Sequence, residues 1–240
     1  MRNIIVKIGG KILEDSKSLK STIFQFKELL FEKKIINNVV IIPGGGSYAN
    51  LIRVIDKDLN IGDDLAHWMA IFTMDFNGIK IIKKFPEIKC FKNFNALEES
   101  LMGRNISLFL PYDYLIKVDE LPHSWDVTSD SIALFLAFKL RLKCCFLIKD
   151  VNGIINDQNQ LIKEITVNEY KNMKKANRLL KKEINSYKES QPIDTYSLEL
   201  IEKYKISCII LNSKTEKRTI IDFFNDAERE HSLHTKINFS

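Results

Sequence analysis

Asn3-Ile4-Ile5-Val6-Lys7-Ile8-Gly9-Gly10-Lys11 is the stretch on which the fold turns. Ile4 to Ile8 has the length and the β-branched content of a buried strand, with one lysine inside it. A lysine in an apolar strand is expensive to bury unless it meets an anion. The two glycines that follow bring bare backbone close to a ligand and offer N–H groups to anionic oxygens. An edge strand with its lysine in water, followed by an ordinary turn, explains this segment alone about as well.

The same alternation continues outward. Leu19, Ile23, Phe26, Leu29 and Leu30 recur at helical spacing after possible caps at Ser16 or Ser18. Val39 to Ile42 is a second strand, stopped by Pro43-Gly44-Gly45-Gly46. Helical patterns then run through Leu51, Ile52 and Ile55, and from Asp64 to Ile82 with Trp68, Phe72 and Ile79 facing inward. Further strands are expected at Ser107–Leu110, Cys144–Ile148 and Cys208–Leu211. Helices are expected at Ile132–Leu140, about Asn168–Lys182, Asp194–Lys205 and Glu216–Phe224. Short apolar runs alternating with amphipathic segments mark an α/β fold, a three-layer α/β/α sandwich with a mostly parallel central sheet. Residues 1–224 form one domain, with an acceptor-side lobe over about 1–125 and a second lobe over about 126–224. The polar stretch Glu183–Gln191 is the best candidate for a mobile loop, and 225–240 for a poorly ordered tail.

Composition narrows the class. The chain has 240 residues, 45% of them hydrophobic and 15 of them Phe, enough for a full core. No apolar run approaches the roughly 18 to 20 residues of a membrane span, and Met1-Arg2-Asn3 leads straight into a strand without a cleavable signal pattern. The cytoplasm is therefore the expected location. The four cysteines lack CxxC spacing, and Cys144-Cys145 lies within an apolar run, as buried core residues do. The net charge of +5 is spread over helix faces rather than gathered into a stripe with aromatics, which disfavours nucleic acid as a partner. A positive balance suits an enzyme of anionic substrates.

Three more stretches can carry chemistry. Ile42-Pro43-Gly44-Gly45-Gly46-Ser47 joins a strand to a helix, and its glycines expose backbone at the positive end of that helix. Neither the dinucleotide fingerprint GxGxxG nor the P-loop pattern fits it. Trp125-Asp126-Val127-Thr128-Ser129-Asp130-Ser131 opens the most apolar helix with two carboxylates, of which capping needs only one. Leu147-Ile148-Lys149-Asp150-Val151-Asn152-Gly153-Ile154, with Asp157 beyond it, puts charged and turn-forming residues at the carboxyl end of a buried strand, where ligands of open α/β sheets bind. A plain hairpin turn at Asn152-Gly153 is the competing reading.

Taken in order, these motifs resemble those of the amino acid kinase superfamily, which includes acetylglutamate, aspartate, uridylate and isopentenyl phosphate kinases. The resemblance runs to about Phe224. Ala66-His67-Trp68-Met69-Ala70-Ile71, Pro122–Asp130 and Gln191-Pro192-Ile193-Asp194 are similar to an archaeal and methylotroph branch typified by an aminomethylfuran phosphate kinase. The resemblance implies an ATP-dependent small-molecule kinase that works with Mg²⁺. Its acceptor would be a small anion, a phosphomonoester giving a diphosphate, with a carboxylate giving an acyl phosphate as the alternative. A nucleotide-binding protein without catalysis would be expected to lack Lys7 or Asp130, and both are present.

Carried onto this sequence, Lys7 would neutralise the transferring phosphoryl group and Asp130 would hold Lys7. Gly9, Gly10, Gly44, Gly45 and Gly46 would donate N–H groups to phosphoryl and acceptor oxygens. Lys149, Asp150, Val151, Gly153, Asp157 and Asp194 would line the nucleotide site, and Asp126, Thr128 and Ser129 the acceptor side. Relatives pair as homodimers or larger homo-oligomers. The chain also departs from the pattern. The second lysine of acetylglutamate kinases, in a late Gly-Gly-Met-x-x-Lys loop, is missing, and Lys149 or Lys11 would replace it. Pro43 stands where isopentenyl phosphate kinases carry histidine, which disfavours that activity. His67 and Trp68 suit core packing or a subunit interface, and His123 either the acceptor or a structural role.

Overall fold

The computed structural model describes residues 2–180, 192–214, 218–225, 227 and 232–240, and the backbone alone of 182–184 and 188–190. The chain opens with β1 (Arg2–Ile8), α1 (Gly10–Glu14) and α2 (Ser16–Lys27), which widens into a π-turn over Glu28–Glu32. Next come β2 (Ile36–Pro43), α3 (Gly46–Leu59), α4 (Asp63–Lys84), β3 (Lys89–Phe91), α5 (Phe94–Ser100), β4 (Asn105–Phe109) and α6 (Tyr112–Val118). The second part holds α7 (Ser129–Lys139), β5 (Cys144–Lys149), β6 (Ile154–Ile155), β7 (Leu161–Ile162), β8 (Glu164–Thr166), α8 (Val167–Lys175), β9 (Lys182–Ile184) and β10 (Lys188–Ser190). It closes with α9 (Thr195–Tyr204), β11 (Ser207–Asn212), α10 (Thr219–Phe224) and β12 (His234–Asn238).

Eight strands form one sheet in the order β3-β4-β2-β1-β5-β11-β12-β8. All pairings are parallel except β11 with β12. The chain builds one half outward from β1 through β2, then returns to add β5 on the other side. The carboxyl ends of β1 and β5 therefore flank the crevice where such sheets bind ligands. Helices cover both faces, as expected from the sequence. One core unites Ile5, Cys145 and Leu147 with α7 and α9, and the other unites Ile4, Val6 and Ile8 with α2 and α10.

Strand alternation decides which face each lysine reaches. Lys7 follows Ile5, and Lys149 follows Cys145 and Leu147, so both side chains stand on the face that α7 covers.

Several local expectations change. Asp15, not Ser16 or Ser18, caps α2, accepting from the amides of Lys17 and Ser18 at 2.9 and 3.0 Å. In α4, Phe72 and Ile79 face outward, at 58% and 43% exposure, while Trp68 is half-buried against the core. Ile71, Met74 and Ile81 face inward together with Asp75 and Asn77. Those two polar side chains hold neighbouring backbone, which turns the helix away from its purely apolar phase. The helix expected to reach Lys182 stops at Lys175. The expectation of a mobile loop over 183–191 lies largely outside the described residues, as do 215–217 at the start of the helix expected from Glu216.

The C-terminal segment is not a tail. Its residues 234–238 form β12, inserted between β11 and β8 with Ile237 fully buried. His234, Thr235 and Ile237 are buried, but only Ile237 among them is apolar, too little signal to stand out in a polar stretch. No described helix is long and apolar enough to cross a membrane.

Candidate active site

Two parallel strands and one helix end build the centre of the site. Lys7 leaves β1 next to β5, in register with Leu147, and Lys149 ends β5 two residues later. Asp130 sits in the first turn of α7 and is buried. Lys7 Nζ lies 2.7 Å from Asp130 Oδ1, an ion pair whose angle falls short of a hydrogen bond. Lys149 Nζ donates to Asp130 Oδ2. One buried carboxylate thus holds two ammonium groups, and the cluster keeps a net positive charge that an anionic ligand can complete. Burial lowers the Lys7 pKa, with Asp130 opposing and Lys149 adding to the effect. Burial works against the Asp130 charge too, but Lys149 and Lys7 outweigh it and hold the carboxyl down at about 2.

Asp130 is free for this task because others cap α7. Thr128 accepts from the Asp130 amide, at 3.3 Å. Asp194 Oδ2 accepts from the Thr128 and Ser131 amides, both at 3.1 Å, and from the Thr128 hydroxyl at 2.6 Å. Its Oδ1 accepts from the Ser131 hydroxyl and, as the cap of α9, from the Ser197 amide, each at 2.6 Å. Asp194, expected at the nucleotide, thus ties α7 to α9 and does not line the cavity described below. Neither Asp126 nor Asp130 supplies the cap; Asp126 is exposed. Ser129 is the first residue of α7 and half-buried.

The glycine loops meet beside this cluster. A Cβ on Gly10 would fall 2.3 Å from the Gly46 Cα, and one on Gly44 3.2 Å from the Lys7 Cε. Only bare backbone lets the two loops and the lysine come so close. Their amides divide in an unforeseen way. Gly9 N–H donates to Ile148 O at 2.8 Å and Gly44 N–H to Ile8 O at 2.9 Å, so both are spent on neighbouring strand ends. Gly10 and Gly46 open α1 and α3, and Gly45 caps α3, so their amides belong to helix ends that lack intrahelical acceptors. Asn77, buried on α4, fixes the triplet by donating to Gly44 O at 2.8 Å and Gly45 O at 2.9 Å. Nothing in an apolar-phase reading of that helix singles out Asn77.

A cavity of about 420 Å³ opens from Lys7, Gly9, Gly10 and Lys149 along the strand ends to Asp150, Val151 and Gly153. Its further lining was missed in the sequence: Asn152, Ile155, Leu180, Pro192 and Asn212. Asn212 could have been found, since it ends β11 in register with Lys149; its amide donates to Asn152 Oδ1 at 2.7 Å. Lys11 also lines the cavity and pairs with Asp150 at 3.0 Å. Asp157 does not line it; the residue is exposed and its amide donates to Arg178 O.

A chain with this sheet order, two glycine loops on one lysine, and a carboxylate at the next helix start can be set beside known proteins. The model of the amino acid kinase family matches residues 2–212. The chain belongs to the amino acid kinase family. It is 31% identical over 235 residues to the [5-(aminomethyl)furan-3-yl]methyl phosphate kinase of Methanocaldococcus jannaschii, covering 97% of this chain and 96% of that protein. It is 26% identical to the acetylglutamate kinase of Pelagibacter ubique, over 96% of this chain and 83% of that one. The crystal structure of UMP kinase from Ureaplasma parvum superposes with a TM-score of 0.70 at 17% identity, covering 99% and 98% of the two chains. As a member of this family the chain is a phosphotransferase enzyme.

In this amino acid kinase, His123 is pinned between Asp64 at 2.6 Å and Asp119 at 2.7 Å. It stacks on His67 with ring centroids 4.5 Å apart, and Trp68 packs edge-on to both rings. The hydrogen bond to Asp64 leads in raising the His123 pKa, while burial and the neighbouring His123 push His67 down to about 4. These residues brace α4 against the segment leading to α7. No described group of three His, Cys, Asp or Glu is placed to hold a metal, and both Asp130 oxygens face lysines.

Proposed function

We propose that this kinase transfers the γ-phosphoryl group of ATP to a small phosphomonoester, producing a diphosphate. The observation that carries the reading is the pair of lysines on one buried carboxylate, facing the joined glycine loops. ATP lies along the strand ends in the 420 Å³ cavity, its triphosphate toward Lys7 and Lys149. Mg²⁺ would come with the nucleotide and supply further charge neutralisation. A phosphate acceptor is already ionised, so the residues need only align the two anions and stabilise charge on the transferring group. Lys7 touches that group, Lys149 stands in for the second lysine of acetylglutamate kinases, and Asp130 positions both. The phosphomonoester acceptor rests on the 31% identical relative, whose name specifies a phosphate substrate.

The enzyme works in the cytoplasm as a homodimer. Phe72, Phe76 and Ile79 on α4, with Tyr48, Leu51 and Val54 on the adjoining α3, present exposed apolar side chains to a second copy of the chain.

A phosphoryl-transfer screen with ATP, Mg²⁺ and a panel of phosphomonoesters, nucleoside monophosphates and N-acetylglutamate tests the activity. Lys7→Ala is expected to cost on the order of 10² to 10³ in kcat, like the loss of one oxyanion donor, and Lys149→Met a similar factor. Turnover only with N-acetylglutamate would replace the acceptor class. Undiminished turnover in Lys7→Ala would reject the proposed centre.

A further inference from the structure

Arg53 carries charge that no other part of the site uses. It lies on α3, seven residues after Gly46, so its Cα is two turns along the same helix face and about 10 Å from the glycine loop. Side chains on a helix lean toward its N-terminus, the end at which that loop lies. The group lies over the Trp125 ring, 4.5 Å from the centroid. Trp125 is itself fixed, its indole N–H donating to Asp56 Oδ2 at 2.8 Å. Asp56 stands three residues after Arg53 on the same helix, yet forms no ion pair with it. Among the described residues Arg53 has no hydrogen bond or ion pair, and its Nε is buried without a partner. A half-buried guanidinium left unpaired disfavours the free protein, and burial shifts its titration against the charge. Held flat by an aromatic ring with its donors unspent, such a group is pre-organised for an oxyanion.

The geometry points to Arg53, seated on Trp125, as the residue that binds the phosphate of the acceptor. This rests on the phosphomonoester reading above and assigns that phosphate a cation separate from those of the nucleotide. Lys7 and Lys149 are committed to Asp130 and the ATP phosphates, whereas Arg53 belongs to the helix whose first turn adjoins the transfer point. Trp125 lies five residues before Asp130, so one contact also couples the acceptor's cation to the entrance of α7.

Calorimetric titration with benzyl phosphate, without nucleotide, tests the assignment directly. Arg53→Met keeps the aliphatic stem and removes the donors. It is expected to weaken binding by about tenfold or more, with Arg53→Lys recovering part of the loss. Removing an unpaired charge relieves the free protein, so the Arg53→Met midpoint of thermal unfolding should stay within about 2 °C of the parent or rise. In turnover the acceptor KM should rise while the ATP KM holds. Binding to Arg53→Met within twofold of the parent, no measurable binding to the parent, or a strongly lowered unfolding midpoint would each overturn the proposal. The two readings fail differently. A parent enzyme that binds benzyl phosphate through Arg53 yet turns over no phosphomonoester refutes the function alone, and turnover indifferent to Arg53→Met refutes this assignment alone.

Discussion

Replacing Asp130 by Asn tests the centre of the site most severely, because it keeps the shape and removes the charge. The Asp130 side chain is 4% exposed, and it faces Lys7 at 8% and Lys149 at 15%. Removing one partner from such a buried cluster costs about 3 to 5 kcal/mol, since the remaining charges stay desolvated. For a chain of this length that is a fall of roughly 10 °C in the unfolding midpoint. The lysines respond as well. Burial already lowers the Lys7 pKa, and without Asp130 only the smaller pull of Asp194 opposes it, so the Lys7 pKa should fall further. Loss of the charge and of its placement should reduce kcat on the order of 10² to 10³. ATP restores an anion to the two ammonium groups, so saturating ATP should raise the unfolding midpoint more in Asp130→Asn than in the parent. Scanning fluorimetry with and without ATP, paired with a coupled kinase assay, reads all three effects. An Asp130→Asn protein with parental stability and parental turnover would show that the three residues do not act as one electrostatic unit.

Two further outcomes follow from residues on α4. Asn77→Ala leaves the Gly44 and Gly45 carbonyls without their buried donor and should cost about 2 to 3 kcal/mol; with the triplet loosened, acceptor KM should rise in the kinase assay while ATP affinity changes little. Asp75 is buried, and burial raises its carboxyl from 3.8 to about 6 although it accepts from the Tyr112 amide at 3.2 Å. A folded-state pKa above the unfolded one means the folded protein holds its proton longer. The native state is therefore unburdened below about pH 4 and loses stability as pH rises from 4 to 6, by up to about 3 kcal/mol. Asp75→Asn should remove that loss, giving a more stable protein above pH 6 and little change at pH 4 in denaturant titrations.

The fold was legible because its signals are local. Runs such as Val39–Ile42 and Cys144–Ile148 need only strand length and β-branched content to be read, and the glycines after them mark the crevice. Lys7, Gly10, Gly46 and Asp130 were legible for the same reason, each being an expensive residue in its own segment. What escaped was relational. Asp194 caps two helices 66 residues apart in one of its bonds, so its carboxylate looked available when it was fully used. Gly9 and Gly44 donate across strands, which no segment announces by itself. Asn77 and Asp75 sit inward in an apolar helix because of loop carbonyls and a helix start elsewhere in the chain. The C-terminal strand gains its place from β8 and β11, and its own five residues carry too little pattern to declare it.

The arrangement of charge suits the proposed meeting of two anionic substrates. Strand parity places Lys7 and Lys149 on the same sheet face, and a single carboxylate cannot neutralise both. The cluster therefore keeps a positive remainder in a partly dehydrated position, where Coulombic attraction is stronger than in water. A second unneutralised cation, Arg53, stands on α3, the helix that follows β2. On the proposed reading each anion would meet its own positive group, and the joined glycine loops would set the distance between them without side chains that could intervene. Anion repulsion, the main obstacle to this chemistry, is opposed by charges the protein holds ready before either substrate arrives, so little reorganisation is left for the moment of transfer.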